Sequence, residues 1–183
     1  LISDEKKENF VVTISNGAVV FENSEENNHY IAFNKKTEEF IYKRDSLNNI
    51  FEKAQATETP QKLQQIASTL IEQMNALLAA DEAYKMRVAA ENKGTLLASI
   101  ANFSREIRPI AHPKSQNEFL QYYVKNIFKT YNFSDSRLTT HPMLANKMNE
   151  WCKFVFDLSI EDGVKAVNQL LDQAQANTET YEV

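Results

Sequence analysis

Residues 60–92, PQKLQQIASTLIEQMNALLAADEAYKMRVAAEN, decide the fold class, because no glycine and no second proline interrupts them. Thr59 is a favoured helix N-cap residue, and Pro60 suits the first helical position, where no N–H is needed. Apolar side chains recur at steps of three and four residues, as along one helix face: Leu63, Ala67, Leu70, Met74, Leu77, Tyr84 and Val88. The stretch predicts one helix of about 33 residues, roughly 50 Å long.

The apolar stripe of this helix has two interpretations, a long helix of an antiparallel bundle or a dedicated dimer zipper, and we favour the bundle. Asp81 interrupts the stripe, so a break between two helices at that residue is an alternative. If a partner helix docks on the stripe, we expect four residues to hold it: Leu70, Met74, Leu77 and Tyr84.

The N-terminal part predicts an antiparallel β-meander of about four strands. Asn16-Gly17 separates two β-rich runs and suits a type I′ turn, in which both central residues have positive φ. Residues 29–34 and 40–44 are rich in aromatic and β-branched residues and are the third and fourth strand candidates. Asp45-Ser46 then resembles the N-cap of a helix that runs from Leu47 to about Gln55.

Helices are predicted for most of the remaining chain. Their expected bounds are Leu96 to about Ile107, Ser115 to Tyr131, Pro142 to Leu158 and Glu161 to about Ala176. The fold class is therefore α+β and mainly α, a meander followed by a bundle of five or six helices. We expect a β-meander subdomain at 1–45, a helical bundle at 46–176 and a frayed tail at 177–183.

Composition narrows the function classes. The chain has 183 residues, a net charge of −5, three glycines and one cysteine. The single Cys152 cannot form an intramolecular disulfide and suits a reducing compartment, so we expect a cytoplasmic protein. No apolar run is long enough to span a membrane. The glycines are too few for a phosphate-binding loop, and the histidines are too scattered for a helical metal pair, so we expect neither cofactor nor metal.

One short motif points to a nuclease. Arg105 and His112 stand seven positions apart at the junction of two predicted helices. This spacing resembles the arginine–histidine signature of HEPN ribonucleases, which are helical bundles that usually act as dimers, although Pro109 lies inside the motif here. The resemblance implies that His112 acts as acid or base and that Arg105 stabilises the phosphorane charge.

Basic and aromatic residues alternate between Lys114 and Arg137, a pattern that also occurs where proteins bind single-stranded nucleic acid. The same spacing is typical of a helix core with a solvated face. We therefore rank nucleic acid below a protein partner or self-association.

The expected function is a non-enzymatic protein–protein interaction or structural module, a component of a larger assembly. The alternatives are a HEPN-like ribonuclease and a nucleic-acid-associated accessory protein.

Overall fold

A computed structural model describes residues 11–107 and 113–175. The chain divides into two compact units between Leu97 and Ala98. Within the described residues the protein is mainly helical, with six α-helices and one small antiparallel sheet at the N-terminal end. None of the helices in these ranges has the length and the apolar character required to cross a membrane.

The first unit begins with a β-hairpin, as predicted. Strand β1 (Val11–Ser15) pairs antiparallel with β2 (Ala18–Glu22), with Ser15 opposite Ala18 and Val12 opposite Phe21. Asn16 and Gly17 both adopt positive φ, 50° and 78°, which is the geometry that a two-residue type I′ turn requires. The hairpin prediction is confirmed.

The predicted third and fourth strands are wrong, because residues 29–34 and 40–44 lie inside helix α1 (Glu25–Thr57). The charged segment between them, residues 35–39, contains neither glycine nor proline. Its Lys36 and Glu39 form an ion pair within the helix at 2.7 Å. Asp45-Ser46, the predicted N-cap, also lies within α1. A helical partner for this segment outweighs the β propensity of its aromatic residues.

On the side of β2 that does not pair with β1, the Asn28 side chain takes the hydrogen-bonding place of a third strand. Asn28, in the first turn of α1, accepts a hydrogen bond from the Phe21 N–H at 3.0 Å and donates its amide to the Phe21 carbonyl at 2.7 Å. These two bonds replace those that a neighbouring strand would make. They also fasten the hairpin to the start of α1.

Helix α2 (Pro60–Glu91) confirms the long helix and packs antiparallel on α1. Tyr84 stacks on Phe33 with ring centroids 6.0 Å apart, and it also contacts Phe40. Further along, His29 Nδ1 lies 3.1 Å from Asn92 Oδ1. The helix is continuous through Asp81, so the alternative of a break at that residue is wrong.

The second unit contains most of α3 (Leu96–Phe103), then α4 (Gln116–Asn126), α5 (Pro142–Phe156) and α6 (Ile160–Ala174). A short 3₁₀ turn covers Ser136–Leu138. All four helices were predicted, but α3 and α4 end four or five residues earlier than expected. Ser115 caps α4 by accepting a hydrogen bond from the Glu118 N–H at 3.1 Å, and serine is a favoured residue at that position.

Aromatic rings form the core of the second unit. Phe103 meets Tyr131 edge to face at 4.6 Å and lies 6.0 Å from Phe128, and Phe128 lies 6.4 Å from Trp151. Ile100, Ile127 and Leu138 are fully buried in the same unit. This packing connects α3 and α5 through the segment that follows α4, and it provides the frame on which α6 lies.

Candidate functional site

The N-terminus of α6 is fixed by a local capping arrangement. Ser159 Oγ accepts a hydrogen bond from the Asp162 N–H at 3.2 Å, and Asp162 Oδ2 accepts one from Ser159 at 2.9 Å. Gln121 of α4 donates its amide to the same Asp162 oxygen at 2.9 Å. The cap and the hydrogen bond to α4 therefore fix the start of α6 through polar contacts alone.

Apolar and small residues cover about 160° of the α6 circumference, at 100° per residue. One half of this arc contains Gly163, Ala166, Leu170 and Ala174, which are buried or half-buried in the second unit. The other half is exposed to solvent. The apolar arc is thus wider than the α4 and α5 surfaces that cover it.

The exposed half forms a row along α6, and Phe156, the last residue of α5, joins this row beside Ile160 and Val164, with which it lines one groove. We call this row the outer face of α6, and it consists of five residues: Phe156, Ile160, Val164, Val167 and Leu171. Ile160 is 89% exposed, Phe156 84% and Val164 55%. Large side chains at this exposure stabilise the folded unit little, because exposed apolar area contributes no burial free energy.

A groove of about 310 Å³ includes part of the outer face and lies between the end of α5 and the first half of α6. Val155, Phe156 and Leu158 line it from the α5 end, and Gly163 and Val164 line it from α6. A Cβ atom built on Gly163 would lie 3.6 Å from Val155 Cγ1, an ordinary contact distance. The two chain segments therefore approach closely at the floor of an apolar groove.

Charged groups around the outer face are few and partly paired. Lys165 Nζ lies 2.7 Å from Glu161 Oε1, and the hydrogen bond to this carboxylate raises the pKa of Lys165. Asp157, Asn168 and Asp172 complete the polar surroundings and are exposed. An apolar centre with a polar rim is the usual arrangement of a protein-docking surface.

The four residues predicted as a partner-helix face lie on the side of α2 that packs on α1. Leu70, Met74, Leu77 and Tyr84 are each half-buried. His29 of α1 contacts Asn92 at the end of α2. Because the two helices run antiparallel with equal rise per residue, this contact places Leu70 level with Phe51 of α1. The bundle interpretation accounts for this burial, and docking of a separate partner at these residues stays a prediction.

Only Arg105 of the two residues of the nuclease hypothesis lies in the described part of the chain. Arg105 follows α3, and its backbone carbonyl accepts a hydrogen bond from Lys147 Nζ at 3.4 Å. The same ammonium group lies 4.8 Å from the centre of the Phe103 ring. His112 is outside the described residues, so its relation to Arg105 stays a prediction.

The aromatic residues between Lys114 and Arg137 pack on one another and on rings of α3 and α5. Phe128 and Tyr131 are buried, and Phe133 contacts both rings. Arg137, at the end of this segment, lies 2.8 Å from Asp135, and its guanidinium holds the pKa of that carboxyl below its usual range. Phe128 and Tyr131 belong to the core of the second unit. They could stack on the bases of a nucleic acid only if they moved out of that core.

Other polar groups of the second unit have structural partners. Tyr123 donates its hydroxyl proton to Glu150 at 2.7 Å, and burial together with this bond raises the pKa of Tyr123. His141 caps α5 by accepting the Met143 N–H, and burial lowers the pKa of His141. Among residues 11–107 and 113–175, no group of three potential metal ligands is present.

Comparison with known proteins returned no match to a family model, to a curated protein or to a solved structure. The candidate surface therefore depends on the geometry of this chain. Sequence reasoning identified α6 as a helix but missed its outer face. The signal was present, because Ile160, Val164, Val167 and Leu171 already follow the helical period.

Proposed function

We propose that this protein is a non-enzymatic interaction module that joins a larger assembly through the outer face of α6. The observation that carries the proposal is a group of five exposed apolar side chains: four lie on the solvent side of the capped helix α6, and the fifth is Phe156 at the end of α5. Folded proteins rarely keep such a row exposed, because water contact with apolar surface is unfavourable. A protein partner that covers the row removes this cost.

The rigidity of α6 supports the same function. Ser159, Asp162 and Gln121 fix the start of the helix, and Ala166 packs its inner side into the second unit. A surface that is ordered before binding loses little conformational entropy when a partner docks. The outer face is therefore presented in a form that is ready to bind.

A site-specific photo-crosslinking experiment tests the proposal. Benzoylphenylalanine replaces Val164, on the outer face, or Gln169, an exposed residue on the opposite side of the same helix. Irradiation of the cells that make the protein is expected to yield a discrete covalent product from position 164 and none from position 169. Products of equal yield from both positions, or no product from position 164, would contradict docking at this face.

A further inference from the structure

We infer that one flank of the α1–α2 helix pair binds a basic amphipathic helix of a partner protein. This surface belongs to the first unit, so it is separate from the outer face of α6 and goes beyond the proposed function. Three observations carry the inference: apolar residues beside the seam of the two helices, unpaired carboxylates on the same flank and the opposite charge of the other flank.

Two flanks border the seam between α1 and α2. Phe33 and Phe40 meet Tyr84 in this seam, whose positions repeat at steps of three and four residues as the a and d positions of a heptad. In an antiparallel pair, residues that follow a d position lie on one flank, and residues that precede an a position lie on the other. Lys36 and Arg87 precede a positions, and their charged groups lie 5.5 Å from the Phe40 ring centre and 5.6 Å from the Tyr84 ring centre. We call their side the basic flank and the opposite side the acidic flank.

Apolar side chains of both helices lie on the acidic flank. Ile41 of α1 and Ile71 and Leu78 of α2 each directly follow a d position of the seam. Ile71 is 60% exposed, Ile41 is 43% exposed and Leu78 is half-buried. In the register set by His29 and Asn92, the three side chains lie within roughly 14 Å along the helix axis. An apolar row along a two-helix groove suits the apolar stripe of a third helix.

Carboxylates line the same flank at heptad spacing. Glu38, Asp45 and Glu52 are seven residues apart, so they repeat every second turn on one side of α1. All three are exposed, and within residues 11–107 and 113–175 none of them forms an ion pair. Residues 64–82 of α2 contain no lysine or arginine. A helix that docks in this groove therefore finds three negative charges beside the apolar row, and lysine or arginine at heptad spacing complements them.

The basic flank would repel the same partner. The hydrogen bond and charge of Lys36, with a smaller contribution from Lys43, lower the pKa of Glu39, which shows that cations dominate this side of α1. Arg87 of α2 adds a further positive charge near Tyr84. Because like charges repel and opposite charges attract, the difference between the flanks selects both the docking side and the charge of the partner.

The probe is a fluorescently labelled synthetic peptide of three heptads, with leucine at the a and d positions and lysine at the e and g positions. Its binding to the full 183-residue chain is measured by fluorescence anisotropy. We expect saturable binding that weakens as salt is added, because salt screens exposed charges. The same peptide with glutamate in place of lysine should bind at least about tenfold more weakly. No saturable binding of the lysine peptide, or equal affinity for both peptides, overturns the inference.

Matched variants locate the binding flank. Ile71 lies on the acidic flank, and Ile50, 47% exposed, lies level with it on the basic flank. Ile71→Lys should weaken binding of the lysine peptide at least about tenfold, whereas Ile50→Lys should leave it unchanged. Asp45→Lys should likewise weaken binding more than Glu39→Lys, which makes the same charge change on the other flank. Circular dichroism checks that each variant keeps its helices. Equal weakening by the two isoleucine variants contradicts docking on the acidic flank.

Failure of this inference can be distinguished from failure of the proposed function. If Val164→Lys weakens binding of the lysine peptide as strongly as Ile71→Lys does, the peptide occupies the outer face of α6 and the inference is wrong. Self-association that Ile71→Lys abolishes, measured by light scattering, would make a second copy the occupant and would also overturn it. Neither result changes the outcome of photo-crosslinking from position 164, which tests the proposed function separately.

Discussion

Asp81 and Lys85 form a buried ion pair inside α2, with the Lys85 ammonium 2.6 Å from one Asp81 carboxylate oxygen. Both residues belong to the buried part of α2, and one helical turn separates them. Their charges are removed from water and compensate each other. This pair explains how an acidic residue is accommodated in an otherwise apolar stripe without breaking the helix.

Removal of one member of this pair should destabilise the protein strongly. Lys85→Met leaves the Asp81 carboxylate buried without its cation, and we expect a loss of roughly 3 to 5 kcal/mol in the free energy of unfolding. The double variant Asp81→Leu/Lys85→Met removes both charges and should be near neutral or more stable. Urea unfolding followed by circular dichroism measures both changes. A double variant no more stable than Lys85→Met contradicts this account.

Two glycines should respond in opposite directions to alanine. Gly163 lies inside α6 with room for a Cβ at ordinary contact distance, so Gly163→Ala should stabilise the protein by about 0.5 to 1 kcal/mol through helix propensity. Gly94 has a φ of +87°, and Gly94→Ala should destabilise it by about 1 kcal/mol or more, because L residues are strained there. Thermal unfolding of both variants provides the comparison, and a shift of the same sign in both would be inconsistent with it.

The long helices were predictable to different degrees for physical reasons. α2 could be predicted because residues 60–92 lack breakers and repeat apolar groups at helical spacing. α1 could not, because Tyr30, Ile31, Phe33 and their counterparts at 40–42 have high β propensity. What makes this segment helical is packing on α2, through contacts such as Phe33 with Tyr84. A local pattern cannot contain that information.

The candidate site could be predicted from the sequence only in part. The period of Ile160, Val164, Val167 and Leu171 is visible in the sequence, but the period cannot tell which part of a wide apolar arc is covered. Only the packing of Ala166 and Ala174 into the second unit shows that the other part stays exposed. Sequence reasoning instead chose Leu70 and Met74, whose burial the contact of α1 with α2 explains.

Protonation of Asp135 should weaken the protein at low pH. Hydrogen bonds from the Arg137 side chain, supported by one from Ser99, lower the pKa of Asp135 in the folded state. The unfolded chain therefore takes up a proton first, near pH 4, and stability falls as the pH decreases from there through the folded pKa. Asp135→Asn should be less stable at pH 7 and should show a smaller loss between pH 5 and 3. Urea midpoints at several pH values measure this, and an unchanged slope in the variant would refute the assignment.

The outer face of α6 should contribute little to folding. Phe156→Ser changes a side chain that is 84% exposed, and we expect the free energy of unfolding of the dilute chain to change by about 0.5 kcal/mol or less. Phe128→Ala removes a ring buried among Phe103, Tyr131 and Trp151 and should cost roughly 3 to 5 kcal/mol. Denaturant unfolding at low concentration compares them. A large loss from Phe156→Ser would mean that the residue serves the fold of the chain itself.

Hydroxyl-radical footprinting tests the central claim, that the outer face of α6 is a docking surface, most directly. The oxidation rate of Phe156 is compared between the dilute purified chain and the protein in its native extract. Tyr42 of α1, 76% exposed, serves as the reference within the same chain. The account predicts that Phe156 is several-fold protected in the extract while Tyr42 reacts at an unchanged rate. Equal oxidation of Phe156 in both samples would contradict it.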